Sequence, residues 1–124
     1  MEKERKAFFD AYRDSFPVVP AAIAAFYSEP CVTARAGVVR VNATTADTMA
    51  LFAEVDRQYR SRGYTHADYE VLDSRNLGAN AASATLRWSY KRAGGETIWQ
   101  TTFTYSLYRR DGSWKILLQT MHDD

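Results

Sequence analysis

Polar and apolar residues alternate along the second half of the chain, from Tyr64 onward. An alternation with a period of two is typical of strands that bury one face. Short turns rich in Gly, Asn and Asp separate four such segments, and this arrangement predicts an antiparallel meander. The predicted strands cover residues 65–76, 81–92, 96–110 and 113–121.

The alternation also predicts which side chains share a face of the sheet. On the first strand, Ala67, Tyr69 and Val71 form an apolar face opposite His66, Asp68 and Glu70. The apolar face of the next two strands carries Leu86, Trp88, Tyr90, Trp99, Phe103, Tyr105 and Leu107. On the last strand, Trp114, Ile116 and Leu118 are predicted on one face, and Lys115, Leu117 and Gln119 on the other.

The first half of the chain shows the spacing of helices instead. Residues 2–15 predict a helix whose apolar face holds Phe8, Ala11, Tyr12 and Ser15, ended by Pro17. A second, short helix is predicted from Pro20, which suits a first turn, to Tyr27. Glu29-Pro30 is expected to break it.

Two short strands and a third helix complete the predicted elements. Residues 31–42 predict a pair of strands with a turn near Ala36-Gly37. Thr44 and Asp47 match a capping box, so a helix is expected to begin there and run to about Arg62. Gly63 then suits a left-handed C-terminal cap.

The predicted helices lie in the first half of the chain, and the long antiparallel strands lie in the second half. This order predicts an α+β fold with the helices on one face of the sheet. Long strands twist and curve, so three N-terminal helices on a curved antiparallel sheet would form a cone, a cystatin-like α+β roll. With 124 residues, the chain predicts one domain over 1–124. Concave surfaces of this kind are where ligands bind.

Composition narrows the function classes. The net charge is +1, and basic residues alternate with acidic ones, which argues against a nucleic-acid binder. The longest apolar stretch, residues 18–27, is too short to span a bilayer, and the charged N-terminus does not resemble a signal peptide. The single cysteine fits a reducing compartment, so we expect a soluble, cytoplasmic protein without a membrane partner.

The ordered set of elements resembles the nuclear transport factor 2-like, or SnoaL-like, superfamily. Phe26-Tyr27-Ser28-Glu29-Pro30-Cys31 resembles the segment that leaves the second helix in these proteins, and residues 44–64 resemble their third helix. Gly112-Ser113-Trp114-Lys115-Ile116 is similar to the start of their last strand. Glu29-Pro30-Cys31, Trp88, Trp99 and Tyr105 resemble a bacterial subgroup of unassigned activity. The superfamily hosts many activities, so the resemblance implies the fold and not the chemistry.

The resemblance to the steroid isomerase branch of the superfamily implies two candidate site positions in this chain. Aligning Tyr27 with the tyrosine of that branch places Arg35 near its general-base aspartate. An arginine is always protonated and cannot be that base, but it binds carboxylates well. Arg35 is therefore either a polar anchor for an anionic group, or else a surface residue or the partner of a nearby acid. That branch also has a tyrosine on its first helix that acts as an oxyanion donor, and Tyr12 resembles it in position. The alternative is that Tyr12 is an ordinary core tyrosine.

Few other residues suggest chemistry. His122 shares the strand parity of Trp114 and Ile116, so it is expected near the mouth of the cone as a possible acid or base, or else as a plain terminal histidine. Cys31 is expected to be a small buried hydrophobe rather than a nucleophile. No spacing typical of zinc ligands or of nucleotide-binding loops occurs, so we expect neither a metal nor a cofactor.

The aromatic content is high, 14% of the chain, and these rings either fill the cone or leave an apolar pocket in it. Three functional hypotheses follow. In the first, a small apolar organic molecule binds in the cone, lined by Tyr12, Tyr27, Trp88, Trp99 and Tyr105, with Arg35 as polar anchor. In the second, the chain is a homodimeric interaction module that uses the outer sheet face, namely Gln100, Thr102, Thr104, Ser106, Lys115, Leu117, Gln119 and Met121. In the third, an acid or base in the pocket, such as His122, makes it an isomerase, cyclase or hydrolase.

Overall fold

The computed structural model describes residues 1–16 and 19–123, and within them three helices and six strands occur. The helices are α1 (Lys3–Asp14), α2 (Pro20–Ala24) and α3 (Thr45–Ser61). The strands are β1 (Tyr27–Arg35), β2 (Val38–Asn42), β3 (His66–Asn76), β4 (Ala81–Lys91), β5 (Thr97–Arg110) and β6 (Ser113–Met121). Their order along the chain is the predicted one. Pro17, the predicted end of the first helix, and Val18, the start of the longest apolar stretch, lie outside the described residues.

The buried side of α1 differs from the predicted one. Phe9 and Tyr12 are almost completely buried, whereas Ala11 is exposed and Phe8 is only partly buried. Because Phe8 and Phe9 are adjacent, the sequence alone does not show which of them lies on the buried side of the helix. In the structure it is Phe9, whose ring centroid lies 5.2 Å from that of Tyr105 on β5.

The segment after α1 also corrects the prediction. Helix α2 ends at Ala24, and Tyr27 begins β1 instead of ending the helix. Pro30 lies inside β1 rather than at a helix end. A proline fits there because residues 28–30 have no paired partners, the pairing with β6 passing from Tyr27 directly to Val32.

The signals around the β1–β2 hairpin and α3 are confirmed. Ala36 and Gly37 both adopt positive φ, 50° and 79°, as a two-residue hairpin turn requires. Thr44 accepts a 3.2 Å hydrogen bond from the Asp47 amide, and the Asp47 carboxylate accepts one of 3.2 Å from the Thr44 amide. Gly63 follows the helix with a φ of 90°.

The sheet is mixed rather than purely antiparallel. Its strand order is β2-β1-β6-β5-β4-β3, and every neighbouring pair is antiparallel except β1 and β6, which are parallel. The alternation along each strand is the same in both arrangements. The parallel pairing joins the two ends of the chain, and local sequence therefore does not predict it.

A β-bulge in β6 changes which residues face the helices. Leu117 has no partner on β5, because its two neighbours pair with consecutive residues of that strand. An extra residue of this kind inverts the alternation that follows. Ile116, before the bulge, is buried as predicted. After it, Gln119 is buried, with 2% of its surface exposed, and Leu118 is only partly buried, which reverses their predicted faces.

Aromatic rings fill most of the space between the sheet and the helices. Irregularities in the register of several strand pairs bend the sheet around this core. The central rings, each at most 2% exposed, belong to Phe9, Tyr12, Phe52, Trp88, Phe103 and Tyr105. None of the helices within the described residues has both the length and the hydrophobicity needed to cross a membrane.

Candidate functional site

An open cleft of about 440 Å³ lies between α3, the β1–β2 hairpin and the adjoining ends of β5 and β6. Its apolar lining comes from Val38, Leu51, Val55, Tyr59, Trp99 and Met121. Leu51, Val55 and Tyr59 follow one another at helical spacing on the buried side of α3. The size is that of a pocket for a small organic molecule, for which volumes of about 300–1,000 Å³ are usual.

Arg35 lies at the inner end of this cleft. It shares the inward face of β1 with Cys31 and Thr33, and it is the last inward position before the hairpin turn. Its Nη1 donates a 3.0 Å hydrogen bond to Oε1 of Gln119, and its Nη2 donates one of 3.0 Å to the hydroxyl of Tyr59. The guanidinium carbon also lies 5.1 Å from the ring centroid of Phe103. These contacts hold a cation at a defined place in a largely apolar surrounding.

The charge of Arg35 is not neutralised by a carboxylate. Its side-chain partners within the described residues are neutral, and no acidic group forms an ion pair with it there. Burial, the largest single influence, lowers the pKa of Arg35, but the attraction and hydrogen bond of Tyr59 and the attraction of Tyr27 and Tyr90 together raise it. Arg35 is therefore a cation throughout the ordinary pH range.

Two more arginines, Arg40 on β2 and Arg62 after α3, line the same cleft. Arg62 lies over the ring of Trp99, with its guanidinium carbon 3.8 Å from the ring centroid. The single carboxylate among the cleft-lining described residues is that of Glu54, which accepts hydrogen bonds from Arg57 and Gln58. The cleft therefore carries an excess of positive charge.

Behind Arg35, the interior of the fold is closed by side chains. The free space there is about 10 Å³, no more than a single water needs. The hydroxyls of Tyr12 and Tyr27 form a 2.7 Å hydrogen bond, and Nε1 of Trp88 donates one of 3.0 Å to the hydroxyl of Tyr105. These four residues, predicted to line an open cone, are packed in the core, since large aromatic rings fill the volume that a ligand would occupy.

The buried tyrosines are held in their neutral form. Burial, the largest influence, raises the pKa values of Tyr12, Tyr27, Tyr90 and Tyr105 well above the usual value of 10.0. The positive charge of Arg35 lowers the pKa of Tyr12, Tyr27 and Tyr105 by a smaller amount. At neutral pH these hydroxyls therefore act as hydrogen-bonding groups and not as bases.

His122 lies on the outer side of the sheet and not near the cleft. Its Nε2 and Oγ1 of Thr104 form a 2.7 Å hydrogen bond, and Thr104 in turn bonds Thr85 on the outer face of β4. The sequence-based position was wrong because the bulge at Leu117 inverts the parity of everything after it. An acid–base role for His122 in the cleft is thus not supported by its position.

The same bulge removes two residues from the outer sheet face on which the homodimer hypothesis depends. Gln119 and Met121, two members of the predicted surface, point inward, Gln119 to Arg35 and Met121 into the cleft. Thr104 and its neighbours on β5 keep their predicted outward position. The homodimer stays a prediction, on a smaller set of residues than the sequence suggested.

Neither Cys31 nor His66 lies among the described residues that line the cleft. Cys31 is buried, with its Sγ 3.4 Å from Oγ1 of Thr48. His66 is exposed on β3, where its Nδ1 contacts the hydroxyl of Thr65 at 3.0 Å. No group of three or more His, Cys, Asp or Glu side chains in the described part of the chain is placed to hold a metal ion.

Of the residues predicted to bind a ligand, the structure places Arg35 and Trp99 together on the cleft. Sequence reasoning did not find Tyr59 or Gln119, which hold Arg35, or the rim arginine Arg62. Arg62 follows a helix, where a cation is commonly explained as a complement to the helix dipole. Its position three residues beyond Tyr59, the last apolar residue of α3, was the available signal that it borders the same surface.

The profile of a protein family described as NTF2-like protein (DUF6841) matches residues 3–124. No curated protein sequence matches the chain. The family match establishes the relationship, and neither result brings an activity from a characterised protein.

Solved structures share the fold at low identity. A protein of unknown function from Shewanella oneidensis, described as NTF-2 like, is 17% identical, with 97% of each chain covered and a TM-score of 0.75. A cystatin-like domain of unknown function from Nostoc punctiforme is 16% identical, with 100% of this chain and 79% of that one covered and a TM-score of 0.76. A de novo designed protein with a curved β-sheet is 12% identical, with coverage of 97% and 100% and a TM-score of 0.70. They show an α+β fold with a curved sheet.

Proposed function

This chain belongs to the NTF2-like protein family DUF6841, and we propose that it binds a small organic anion with an apolar body in the cleft beside Arg35. The observation that carries the proposal is the state of Arg35, a partly buried cation held by Gln119 and Tyr59 without a carboxylate partner in the described residues. Removing a charge from water is costly unless an opposite charge compensates it. A ligand carboxylate would supply that charge.

The chemistry of a guanidinium favours a carboxylate as the anionic group. The two hydrogen bonds of Arg35 use two of its five N–H groups, one on each terminal nitrogen. A planar guanidinium fixed in this way presents its free N–H groups to a carboxylate in a charge-assisted hydrogen bond. Such bonds contribute about 1.5–3 kcal/mol each. The contribution is larger here than at an exposed arginine, since less water competes.

The walls of the cleft favour an apolar body on the ligand. Val55 and Tyr59 from α3 line the cleft together with Trp99 and Met121 from the sheet, and the rings of Tyr59 and Trp99 are in edge-to-face contact. Apolar surface removed from water contributes roughly 25 cal/mol per Å². A ligand with a short alkyl chain or one aromatic ring would cover these side chains while its acid group reaches Arg35.

The proposal is binding rather than turnover. Among the described residues of the cleft, Glu54 is the one carboxylate, and Arg57 and Gln58 hold it at the rim. His122, the predicted acid or base, bonds to Thr104 outside the cleft. A general base has to lie within hydrogen-bonding reach of the proton that it removes, and neither group is placed in this way beside Arg35.

Titration with matched ligand pairs tests the proposal. Octanoate and benzoate would be compared with their neutral amides by calorimetry, and by the fluorescence of Trp99 and the other tryptophans. We expect the acids to bind and the amides to bind at least about tenfold more weakly, a difference of about 1.4 kcal/mol.

Two variants provide the control. Arg35→Gln should remove the preference for the acids, whereas Arg110→Gln, which removes an exposed arginine outside the cleft, should retain it. Thermal unfolding of both variants establishes that they are folded. Equal affinity for acids and amides in the wild-type protein, or no binding by either, would refute the proposal.

A further inference from the structure

The arginines of this chain divide into two groups by their partners. Eight form ion pairs with carboxylates, namely Arg5, Arg13, Arg57, Arg60, Arg75, Arg87, Arg92 and Arg109. Within the described residues, Arg35, Arg40, Arg62 and Arg110 form none. Three of these four line the one cleft, and Arg110 alone does not. In a chain whose net charge is only +1, acids are available, yet the cleft arginines are left without them.

Two of the three cleft arginines are held at opposite depths. Arg35 borders both the cleft and the small closed space behind it, and so marks the inner end. Arg62 borders the cleft alone and is exposed, and so marks the rim. Each is fixed by neutral groups, Arg35 by hydrogen bonds and Arg62 by its position 3.8 Å over the ring of Trp99. Between them the wall is apolar, formed by Val55 and Tyr59.

From this arrangement we propose that the ligand is an organic dianion, with an acid group at each end of an apolar body. The inner acid binds Arg35, and the outer acid binds Arg62 with help from Arg40. The inference rests on the proposed function and names its ligand class. Two guanidinium groups fixed in advance lose little conformational freedom on binding, which is the condition for a gain in affinity from each.

The two acid groups contribute unequally. The inner one meets a cation that is partly shielded from water, whereas the outer one meets exposed cations whose attraction is screened by salt. The rim contact is therefore expected to tighten binding about three- to tenfold at low salt, and less as salt is added. The exposed position of Arg40 makes it a supporting partner rather than an anchor.

Diacids and their monoamides separate the rim contact from the inner one. Calorimetric titrations would use hexanedioate, octanedioate and terephthalate, each beside its own monoamide, which has nearly the same shape and one charge less. We expect at least one diacid to bind about three- to tenfold more tightly than its monoamide, with the difference decreasing at high salt.

Variants then locate the second charge. Arg62→Gln should bring each diacid down toward the affinity of its monoamide and weaken the diacid more than the monoamide. Arg35→Gln should weaken both, and Arg110→Gln should change neither. Equal affinity of every diacid and its monoamide would overturn the dianion inference while leaving the proposed function in place. Absence of binding by all of them would overturn both.

Discussion

The guanidinium of Arg35 and the side-chain amide of Gln119 form a 3.0 Å hydrogen bond across 84 residues of sequence. The bond links the last inward position of β1 to the first inward position after the bulge in β6. Gln119 is 2% exposed, so its amide has no freedom to turn toward water. A neutral acceptor in this place orients Arg35 without neutralising it, which is what an anion-binding residue requires.

Replacing the amide of Gln119 by a carboxylate should therefore weaken the binding of anions at Arg35. In Gln119→Glu the new carboxylate has nearly the same shape and accepts the same hydrogen bond from Arg35, so it competes with any ligand acid. We expect binding of octanoate or benzoate to weaken about tenfold or more, corresponding to about 1.4 kcal/mol. Calorimetry and thermal unfolding are measured together, and unfolding should show a stable protein. Undiminished binding by a folded Gln119→Glu protein would exclude Arg35 as the anchor.

The phase of α1 makes a second prediction. Phe9 is fully buried and packs on Tyr105, so Phe9→Ala should lower the free energy of unfolding by about 3–5 kcal/mol. Ala11, one of the residues predicted from sequence to face the core, is exposed, and Ala11→Ser should cost about 0.5 kcal/mol or less. Urea unfolding of the two variants checks this. Similar losses at both positions would mean that α1 is rotated about its axis, so that Ala11 also faces the core.

Local signals explain why most of the fold could be predicted. The capping box of Thr44 and Asp47 and the Ala36-Gly37 turn act over a few residues, and the structure contains both. The alternation along β3, β4 and β5 likewise reflects only which face of a strand is buried. These features need no knowledge of what a segment packs against.

The features that the sequence did not predict depend on distant partners. The bulge at Leu117 is a property of the pairing between β6 and β5. Its extra residue turns Gln119 to the inner side of the sheet and His122 to the outer side, the reverse of the predicted sides. The closure of the interior depends on rings from several elements meeting in one place. Arg35 was a candidate from the resemblance to a family, but its neutral partners come from α3 and β6, which sequence reasoning did not bring together with β1.

The buried tyrosines predict how stability changes at alkaline pH. Burial raises the pKa values of Tyr12, Tyr27, Tyr90 and Tyr105 in the folded state, while in the unfolded chain tyrosine titrates at about 10. Below pH 10 these tyrosines are protonated in both the folded and the unfolded protein, so their contribution to the free energy of unfolding is fully present. Above it the unfolded state loses protons first, so the free energy of unfolding falls as the pH rises toward the folded-state pKa values.

The expected slope is about 1.4 kcal/mol per pH unit for each such tyrosine. Urea unfolding at a series of pH values from neutral to strongly alkaline measures it, with tyrosinate absorbance recorded in parallel. Tyr12→Phe removes one titrating group and should reduce the slope by about one such increment. An unchanged slope in that variant would indicate that Tyr12 ionises equally in both states.

Met121 and His122 are adjacent in sequence but lie on opposite sides of the sheet, which provides the sharpest test of the bulge. Met121 lines the cleft, and His122 bonds to Thr104 on the outer face. Met121→Ala should weaken the binding of octanoate about three- to tenfold through lost apolar contact, whereas His122→Ala should leave it unchanged. Calorimetry of both variants against the wild-type protein decides between the two arrangements. If His122→Ala weakened binding and Met121→Ala did not, the last strand would have the parity that its sequence alone predicts, and Gln119 would no longer face Arg35.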